Sequence, residues 1–232
     1  MKTIAVMQPY IFPYVGYYQL ATKVDEFVFF DDVNFIKKGF IHRNNILLNG
    51  EKFSFSIPVS KVSQNRKINE HFYRGEFDSF LKQIRRTYAK APFFDEAIKI
   101  IESCLFQGEL GVAQVNISSI SAIFDYVDLP FDYSSASTLK IDGKYHAQDR
   151  IIKICKELGA THYVNAVGGK ELYDNNSFAQ EGIKLSFIQP YLTEYKQISK
   201  DFVSGLSIID ALMYCTKSEL VELIQGGSFE GN

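Results

Sequence analysis

The chain has 232 residues, of which 46% are hydrophobic and 22% are charged, as is ordinary for a folded globular protein. This composition excludes a disordered, collagen-like or disulfide-stapled chain, and the length suits one domain, or one domain with a small appendage. The 25 basic and 27 acidic side chains give a formal net charge of −2, which provides no overall attraction to nucleic acid or to an anionic membrane.

The beginning of the chain shows the pattern of a strand, a helix and a second strand. An apolar run over residues 3–7 is typical of a buried strand, residues 14–23 can form a helix, and residues 27–30 repeat the strand pattern. Two strands joined by a helical crossover lie parallel, so this unit predicts a parallel sheet.

The next segment interrupts this rhythm. Residues 44–59 predict a β-hairpin, because two apolar runs flank Asn49-Gly50, a strong turn signal. Three helical stripes then fall between residues 77 and 128, and Pro92 separates the first from the second. We therefore predict that residues 35–128 hold a hairpin and a helical insertion.

The strand–helix rhythm resumes after residue 128. The pattern predicts three further strands and two helices, followed by a C-terminal helix. In chain order these are a strand at 131–135, a helix at 147–158, a strand at 162–166, a short helix, a strand at 183–188 and a helix at 206–225. The sum is a Rossmann-like, doubly wound α/β fold with about five parallel strands.

We expect one domain over residues 1–232. Its Rossmann-like core is predicted at 1–34 and 129–190, and a helical segment at 195–225 ends the chain. No secretory signal and no apolar run long enough for a membrane span are visible, so we expect a cytoplasmic protein.

The loop after the first strand is the leading candidate for a ligand site, because doubly wound sheets bind ligands beyond the carboxyl ends of their strands. Two prolines stiffen it, a glycine at the helix start permits close approach of a ligand, and four of the 14 tyrosines fall within the first 18 residues. The alternative is that the aromatic rings simply pack the sheet edge. The candidates are Gln8, Pro9, Tyr10 and Gly16 for binding and Tyr14 and Tyr17 for catalysis.

Asp31 and Asp32 follow the second strand. Paired carboxylates at a strand's carboxyl end could hold Mg²⁺ or a ribose, or accept the proton of an amine, and both are candidate catalytic residues. A solvated turn is the alternative.

A basic segment follows. Residues 35–67 contain seven basic residues and one acid, a local charge of +6, while the rest of the chain carries −8. Such a patch suits a multiply charged small ligand such as a nucleotide diphosphate, or it is a solvated face. One patch without a known binding motif gives no support for nucleic-acid binding. The candidate binding residues here are Lys37, Lys38, Arg43 and Asn45.

Later candidates come from two further segments. The Gly168-Gly169 pair leads from a strand into a helix and suits phosphate or carboxylate, with Asn165 and Tyr173 beside it. Tyr195 and Gln197 could return polar groups to the site, and Ser207 is a candidate helix N-cap with Asp210 three residues later.

No metal site or covalent nucleophile is predicted. The four histidines lack zinc-ligand spacing, and the three cysteines are widely spaced among apolar residues, as is typical of buried reduced thiols.

Four segments of the chain resemble motifs of one family. Two come early, MQPYIFPYVGYYQLATKVDEFVFFDDVNF and FIHRNNILLNG, and two come later, THYVNAVGGKELYD and YKQISKDFVSGLSIIDALM. The first two resemble the start of the WbqC-like family, and the other two resemble its later motifs. The family is bacterial and is associated with O-antigen and other surface-polysaccharide gene clusters. The resemblance implies a cytoplasmic enzyme that acts on a nucleotide-linked amino sugar, with transfer of glycine onto the sugar as a suggested role.

A fainter similarity concerns the position of the HxGH motif in nucleotidylyltransferases, between the first strand and its helix. Tyr14-Val15-Gly16-Tyr17 keeps the glycine but has tyrosine in place of both histidines, and tyrosine carries no positive charge near neutral pH.

These observations predict a transferase of surface-polysaccharide biosynthesis that moves an aminoacyl or acyl group onto the amine of a nucleotide-linked sugar. The alternatives are an ATP-dependent nucleotidyl or adenylyl transferase and a non-catalytic nucleotide-sugar-binding subunit. The partner is expected to be a nucleotide-linked amino sugar or another small phosphorylated molecule. The cofactor stays open, with Mg²⁺ beside ATP or a nucleotide sugar as one option, and a homo-oligomer is compatible with the sequence.

Overall fold

Eight strands lie within residues 1–230, the part of the chain that the computed structural model describes. In chain order they are β1 (Thr3–Met7), β2 (Glu26–Phe29), β3 (Arg43–Leu48), β4 (Glu51–Ser56), β5 (Tyr133–Ser135), β6 (His162–Ala166), β7 (Lys184–Gln189) and β8 (Ser228–Phe229). Six of them form one sheet in the order β5-β2-β1-β6-β7-β8, and β3 pairs with β4 in the predicted antiparallel hairpin.

The main sheet is parallel except at one edge. Five strands, β5, β2, β1, β6 and β7, run in the same direction, and within this sheet only the short β8 is antiparallel, pairing with β7. The predicted Rossmann-like α/β fold with five parallel strands is therefore confirmed, while β8 escaped prediction because it is only two residues long. The strand order reverses between β1 and β6, and in this class of fold the crevice beyond the carboxyl ends of those two strands binds ligands.

Eight α-helices accompany the strands in the described residues. They are α1 (Val15–Ala21), α2 (Asp78–Tyr88), α3 (Phe94–Leu105), α4 (Val112–Tyr126), α5 (Ala147–Glu157), α6 (Asn175–Gln180), α7 (Ile208–Tyr214) and α8 (Lys217–Gln225). The three helices predicted for the insertion are present, and Pro92 lies between α2 and α3 as expected.

The single helix predicted over 206–225 is wrong, because α7 and α8 are separate. Cys215 adopts an extended conformation after α7, and Thr216 then caps α8. The Thr216 hydroxyl accepts the Glu219 amide and the Glu219 carboxylate accepts the Thr216 amide, which is the reciprocal capping box. Ser207 does cap α7, but Asp210 points elsewhere and forms no box with it.

The sheet separates two hydrophobic layers. Along β1, Ile4 and Val6 pack into the smaller layer with α5 and α6, while Ala5 packs into the larger layer with α1, the hairpin and the insertion helices. This alternation follows from the two-residue period of a strand. Both faces of β1 are covered, which fits its continuous apolar sequence.

Candidate functional site

The loop between β1 and α1 is held by buried polar side chains from distant parts of the chain. Asn116, on α4, donates from its amide to the carbonyl oxygens of Pro9 (2.9 Å) and Ile41 (2.6 Å) and accepts the Tyr73 hydroxyl at 2.8 Å. Asn44, on β3, donates to the carbonyl oxygens of Ile11 and Phe12 at 3.2 and 2.7 Å. These bonds satisfy backbone groups that the loop would otherwise bury without partners.

The loop is also strained at one residue. Phe12 has a φ of 40°, in the left-handed region that a bulky L-residue rarely adopts. Its amide donates to the Ser119 hydroxyl at 3.2 Å, and its carbonyl oxygen accepts the Ser207 hydroxyl at 2.6 Å. Strain of this kind persists only where the surroundings fix the backbone, and it is concentrated at functional sites.

The fixed loop forms one wall of a cleft with a volume of about 290 Å³ and almost entirely apolar walls. Phe40, from the loop after β2, lies 5.9 Å from Tyr10 between ring centroids, and Tyr10 lies 5.8 Å from Tyr17. We call this site the aromatic cleft. It is lined by Tyr10, Pro13, Tyr14, Phe40, Asn44 and Gly205.

The tyrosines of the cleft stay neutral. Burial raises the pKa of both Tyr10 and Tyr14 above the ordinary value of 10.0. Tyr17 is buried behind the cleft, and its hydroxyl donates to the Gln8 carbonyl oxygen at 2.9 Å. The Tyr10 and Tyr14 hydroxyls are therefore hydrogen-bond donors at neutral pH, whereas the Tyr17 hydroxyl is already engaged with the loop.

Gly16 is required by the position of the Tyr14 ring. A Cβ atom at Gly16 would lie 2.4 Å from the nearest ring carbon of Tyr14, well inside van der Waals contact. The glycine lets the ring lie against the first turn of α1, where it forms a wall of the cleft.

Gly16→Ala is expected to lower the free energy of unfolding by about 1–3 kcal/mol, because the Tyr14 ring must shift to admit a methyl group. In a Tyr14→Ala background the same change should be neutral or stabilising by up to ~1 kcal/mol, because alanine favours helix. Urea unfolding of the two single variants and the double variant measures this coupling. Equal effects of Gly16→Ala in both backgrounds would show that the ring does not occupy this position.

The two acidic residues after β2 have different surroundings. The Asp31 carboxylate accepts the Ser137 amide at 3.0 Å and the Ser137 hydroxyl at 2.6 Å, and the Asn69 amide at 3.3 Å. Asp31 is only 4% exposed. Because Asp31 follows β2 and Ser137 follows β5, these hydrogen bonds connect the carboxyl ends of the two strands. Asp32 forms a largely buried ion pair with Arg150 on α5, and its second carboxylate oxygen has no hydrogen-bond partner among the described residues.

The cations of residues 35–67 lack acidic partners. Within residues 1–230, none of the seven forms an ion pair. Lys37 and Lys38 are exposed on the loop that carries Phe40, and Arg43 is half-buried at the start of β3. Three of the seven cations, Lys37, Lys38 and Arg43, thus lie within three residues along the chain of Phe40 or Asn44, which line the aromatic cleft.

The candidates after β6 form a cluster of their own. The Asn165 amide donates to the hydroxyls of Tyr163 (3.0 Å) and Tyr173 (2.9 Å). Gly168 and Gly169 lie in a short 3₁₀ helix, Val167–Leu172, and Gly168 has open space around it. These residues leave the same edge of the sheet as Gln8, since β6 is parallel to β1, but they do not line the aromatic cleft.

Tyr195 and Gln197 bind a buried carboxylate. The Asp210 carboxylate accepts three hydrogen bonds. The Tyr195 hydroxyl donates at 2.9 Å, the Gln197 side-chain amide at 2.8 Å and the Tyr88 hydroxyl at 2.9 Å. Tyr195 also borders a narrow crevice that it shares with Tyr14. Burial raises the pKa of Asp210, although these three hydrogen bonds oppose the rise.

The residues that fix the loop after β1 were not predicted. Asn116 and Ser119 lie on the buried face of α4, in a stripe that is otherwise apolar. Two polar side chains three residues apart on a buried helix face were the available signal, because buried polar groups need partners. Phe40 and Gly205 lie within the segments that resemble the WbqC-like family, but neither was predicted as a site residue, since their place in the cleft follows from the packing of long connections.

His42 lies within the basic segment and is expected to make folding sensitive to acid. Burial, and then the charges of Arg43 and His71, lower the pKa of His42 from 6.5 to about 4. The unfolded chain binds a proton at this residue below pH 6.5, whereas the folded protein does so only near pH 4. The stability that neutral His42 contributes is therefore fully present above pH 6.5 and is lost as the pH falls towards 4.

Urea unfolding at pH 7 and at pH 4.5 tests this expectation. Wild type should lose more stability than His42→Gln between the two pH values. An equal loss in both proteins would mean that His42 takes up no extra proton on unfolding.

Two further observations concern metal ligands and membrane spans. In residues 1–230, no three His, Cys, Asp or Glu side chains are grouped so that they could hold a metal ion. None of the helices described has both the length and the apolar character required to cross a membrane.

The strand order and helical layers define a Rossmann-like α/β protein. The chain belongs to the WbqC-like protein family, whose family model matches residues 8–222. It is also 26% identical over 218 residues to the uncharacterized protein Rv1507c of Mycobacterium tuberculosis (strain ATCC 25618 / H37Rv), covering 91% of this chain and 93% of that one. No solved structure gives a significant match.

Proposed function

We propose that this protein is a cytoplasmic transferase of surface-polysaccharide biosynthesis that binds a nucleotide-linked amino sugar and moves an aminoacyl or acyl group onto the sugar amine. The observation that carries the proposal is the aromatic cleft, which lies at the carboxyl end of β1 beside cations without acidic partners. Membership of the WbqC-like family also supports the proposed function, because the resemblance to that family implies an enzyme that acts on a nucleotide-linked amino sugar.

The cleft suits one part of such a ligand. Its rings present flat apolar surfaces to a nucleobase or to the apolar face of a sugar ring, and the hydroxyls of Tyr10 and Tyr14 can donate hydrogen bonds. The rigid loop means that little ordering is needed when the ligand binds, which favours affinity. Lys37, Lys38 and Arg43 would meet the negative charge of the phosphates.

The reaction requires a base and a donor to the oxyanion. The sugar amine attacks the carbonyl carbon of an activated acyl group, the new carbon–nitrogen bond forms, and the bond to the leaving group breaks. The base removes a proton from the amine, and hydrogen-bond donors stabilise the negative oxygen that develops on the carbonyl. In this proposal Tyr14 donates to the oxyanion, and Tyr17 and Gln8 position the loop. The amides of Gly168 and Gly169, which lie outside the aromatic cleft, would bind a part of the ligand that extends beyond it.

Asp32 is the proposed base, because one of its carboxylate oxygens has no donor among the described residues. Asp31 has a structural role in the proposal, since its carboxylate accepts three hydrogen bonds. Asp32→Asn should reduce turnover by about 100-fold or more, in line with the usual contribution of a general base. Because the change also removes the charged partner of Arg150, turnover is compared only for variant protein that circular dichroism shows to be folded. Asp31→Asn should mainly reduce stability.

Mass spectrometry of reaction mixtures tests the function. The protein is incubated with nucleotide-linked amino sugars and activated donors, including aminoacyl and acyl thioesters, and the sugar product is sought at the mass of the amide. Product formed by wild type and lost in Asp32→Asn supports the proposal. Pyrophosphate release with ATP and Mg²⁺ would favour adenylyl transfer instead, and binding without any product would favour a non-catalytic subunit.

A further inference from the structure

The β3–β4 hairpin has one polar face whose residues are fixed by the strand register. Arg43 lies opposite Ser56, Asn45 opposite Ser54, and Leu47 opposite Lys52. Directly opposed residues point to the same side of a hairpin, and so do residues two apart along a strand. We call this set the polar hairpin face: Arg43, Asn45, Lys52, Ser54 and Ser56.

The other side of the hairpin accounts for its stability. Ile46 and Phe55 are buried there, and Phe55 packs against Phe80 of α2 with ring centroids 4.7 Å apart. On the side of the polar hairpin face, Leu47 is buried, Arg43 and Asn45 are half-buried, and Lys52, Ser54 and Ser56 are exposed.

The polar hairpin face has few partners of its own. Within the part of the chain described, no side chain of the polar hairpin face forms a hydrogen bond with another side chain, and none is in an ion pair. Lys52 makes one long contact, 3.5 Å from its ammonium nitrogen to the Ser204 carbonyl oxygen. The face thus offers two cations and three neutral polar groups with no carboxylate to compete for them.

This face meets the aromatic cleft at Gly205. The ammonium nitrogen of Lys52 lies 3.7 Å from the position that a Cβ atom would take at Gly205. Gly205 also lines the aromatic cleft. A ligand whose ring occupies the cleft would therefore have its adjoining group within reach of Lys52.

We propose that the polar hairpin face binds the diphosphate of the nucleotide-linked ligand whose ring lies in the aromatic cleft. This inference rests on the proposed function and narrows its substrate class to nucleoside diphosphate derivatives. Arg43 and Lys52 lie towards opposite ends of the face and supply the charge, because a guanidinium and an ammonium both form strong hydrogen bonds to phosphate oxygens. Asn45 and Ser54 lie between them and Ser56 lies opposite Arg43, and these three residues supply neutral donors.

Inorganic pyrophosphate is the probe for this face, since it carries the charge without a base or sugar. Isothermal titration at low salt should show binding to wild type that weakens as salt is added. Lys52→Gln and Arg43→Gln should each raise the Kd by about tenfold or more, the usual effect of losing a charge-assisted hydrogen bond. Lys61→Gln is the control, because Lys61 belongs to the same basic segment but not to this face, and it should bind as wild type does.

A second titration connects the face to the cleft. A nucleoside diphosphate should displace pyrophosphate from wild type, whereas the matching nucleoside should not. The inference is overturned if wild type does not bind pyrophosphate, or if Lys52→Gln and Arg43→Gln bind it as wild type does. Transfer measured by mass spectrometry is independent of this result, so product formation without pyrophosphate binding would overturn the diphosphate site and leave the proposed function standing.

Discussion

Asn116→Asp is expected to lower the free energy of unfolding by about 3–5 kcal/mol, the usual cost of leaving a buried charge without compensation. Asn116 is 0% exposed, and its amide donates to two carbonyl oxygens, those of Pro9 and Ile41. Aspartate has the same shape but loses both donors, and its carboxylate would face those carbonyl oxygens. Urea unfolding followed by circular dichroism measures the change.

Asn176→Asp provides the matched control, because Asn176 is exposed in the first turn of α6. A negative charge there is compatible with the helix dipole, so the change should stay within about 0.5 kcal/mol. A loss below 1 kcal/mol for Asn116→Asp would contradict the role of Asn116 in fixing the loop.

Asp210→Ala is expected to cost at least ~3 kcal/mol, since each buried donor left without an acceptor costs about 1–3 kcal/mol. The three donors are the hydroxyls of Tyr88 and Tyr195 and the Gln197 amide, and they join α2, α7 and the segment before α7. Asp210→Asn keeps one acceptor oxygen and should cost less. Chemical denaturation of both variants gives the two values.

The control for Asp210 is Asp201→Ala, the same substitution at an exposed position in the segment before α7. It should be nearly neutral. If Asp210→Ala were as stable as Asp201→Ala, the buried carboxylate would have no structural role, and Tyr195 and Gln197 would be free for the ligand role that the sequence suggested.

The fold could be predicted largely from local patterns. The apolar run of β1, the turn at Asn49-Gly50 and the helical stripes of the insertion each depend on neighbouring residues. The break between α7 and α8 was missed because apolar residues precede Cys215 and return at Leu220, although Thr216 and Glu219 carry the spacing of a capping box. The two-residue strand β8 depends on pairing with β7, which no local pattern indicates.

The site could be predicted only in part. The tyrosines after β1 stand together in the sequence, so their density was visible at once. The residues that hold their loop are far away: Asn44 is 32 residues from Phe12, Ser119 is 107 and Ser207 is 195. Contacts at these separations depend on the packing of whole helices and strands, and a single sequence does not reveal them.

The central claim is that the aromatic cleft binds the ring of a nucleotide-linked sugar, and a binding titration of wild type and Tyr14→Ala tests it most directly. Phe106→Ala is the control for loss of an aromatic ring, because Phe106 is 57% exposed outside the cleft. Across a panel of nucleotide sugars, wild type and Phe106→Ala should bind at least one member alike. Tyr14→Ala should bind it about tenfold or more weakly, as loss of a stacking ring predicts. Equal binding by Tyr14→Ala and wild type, or no binding of any member by wild type, would contradict the claim.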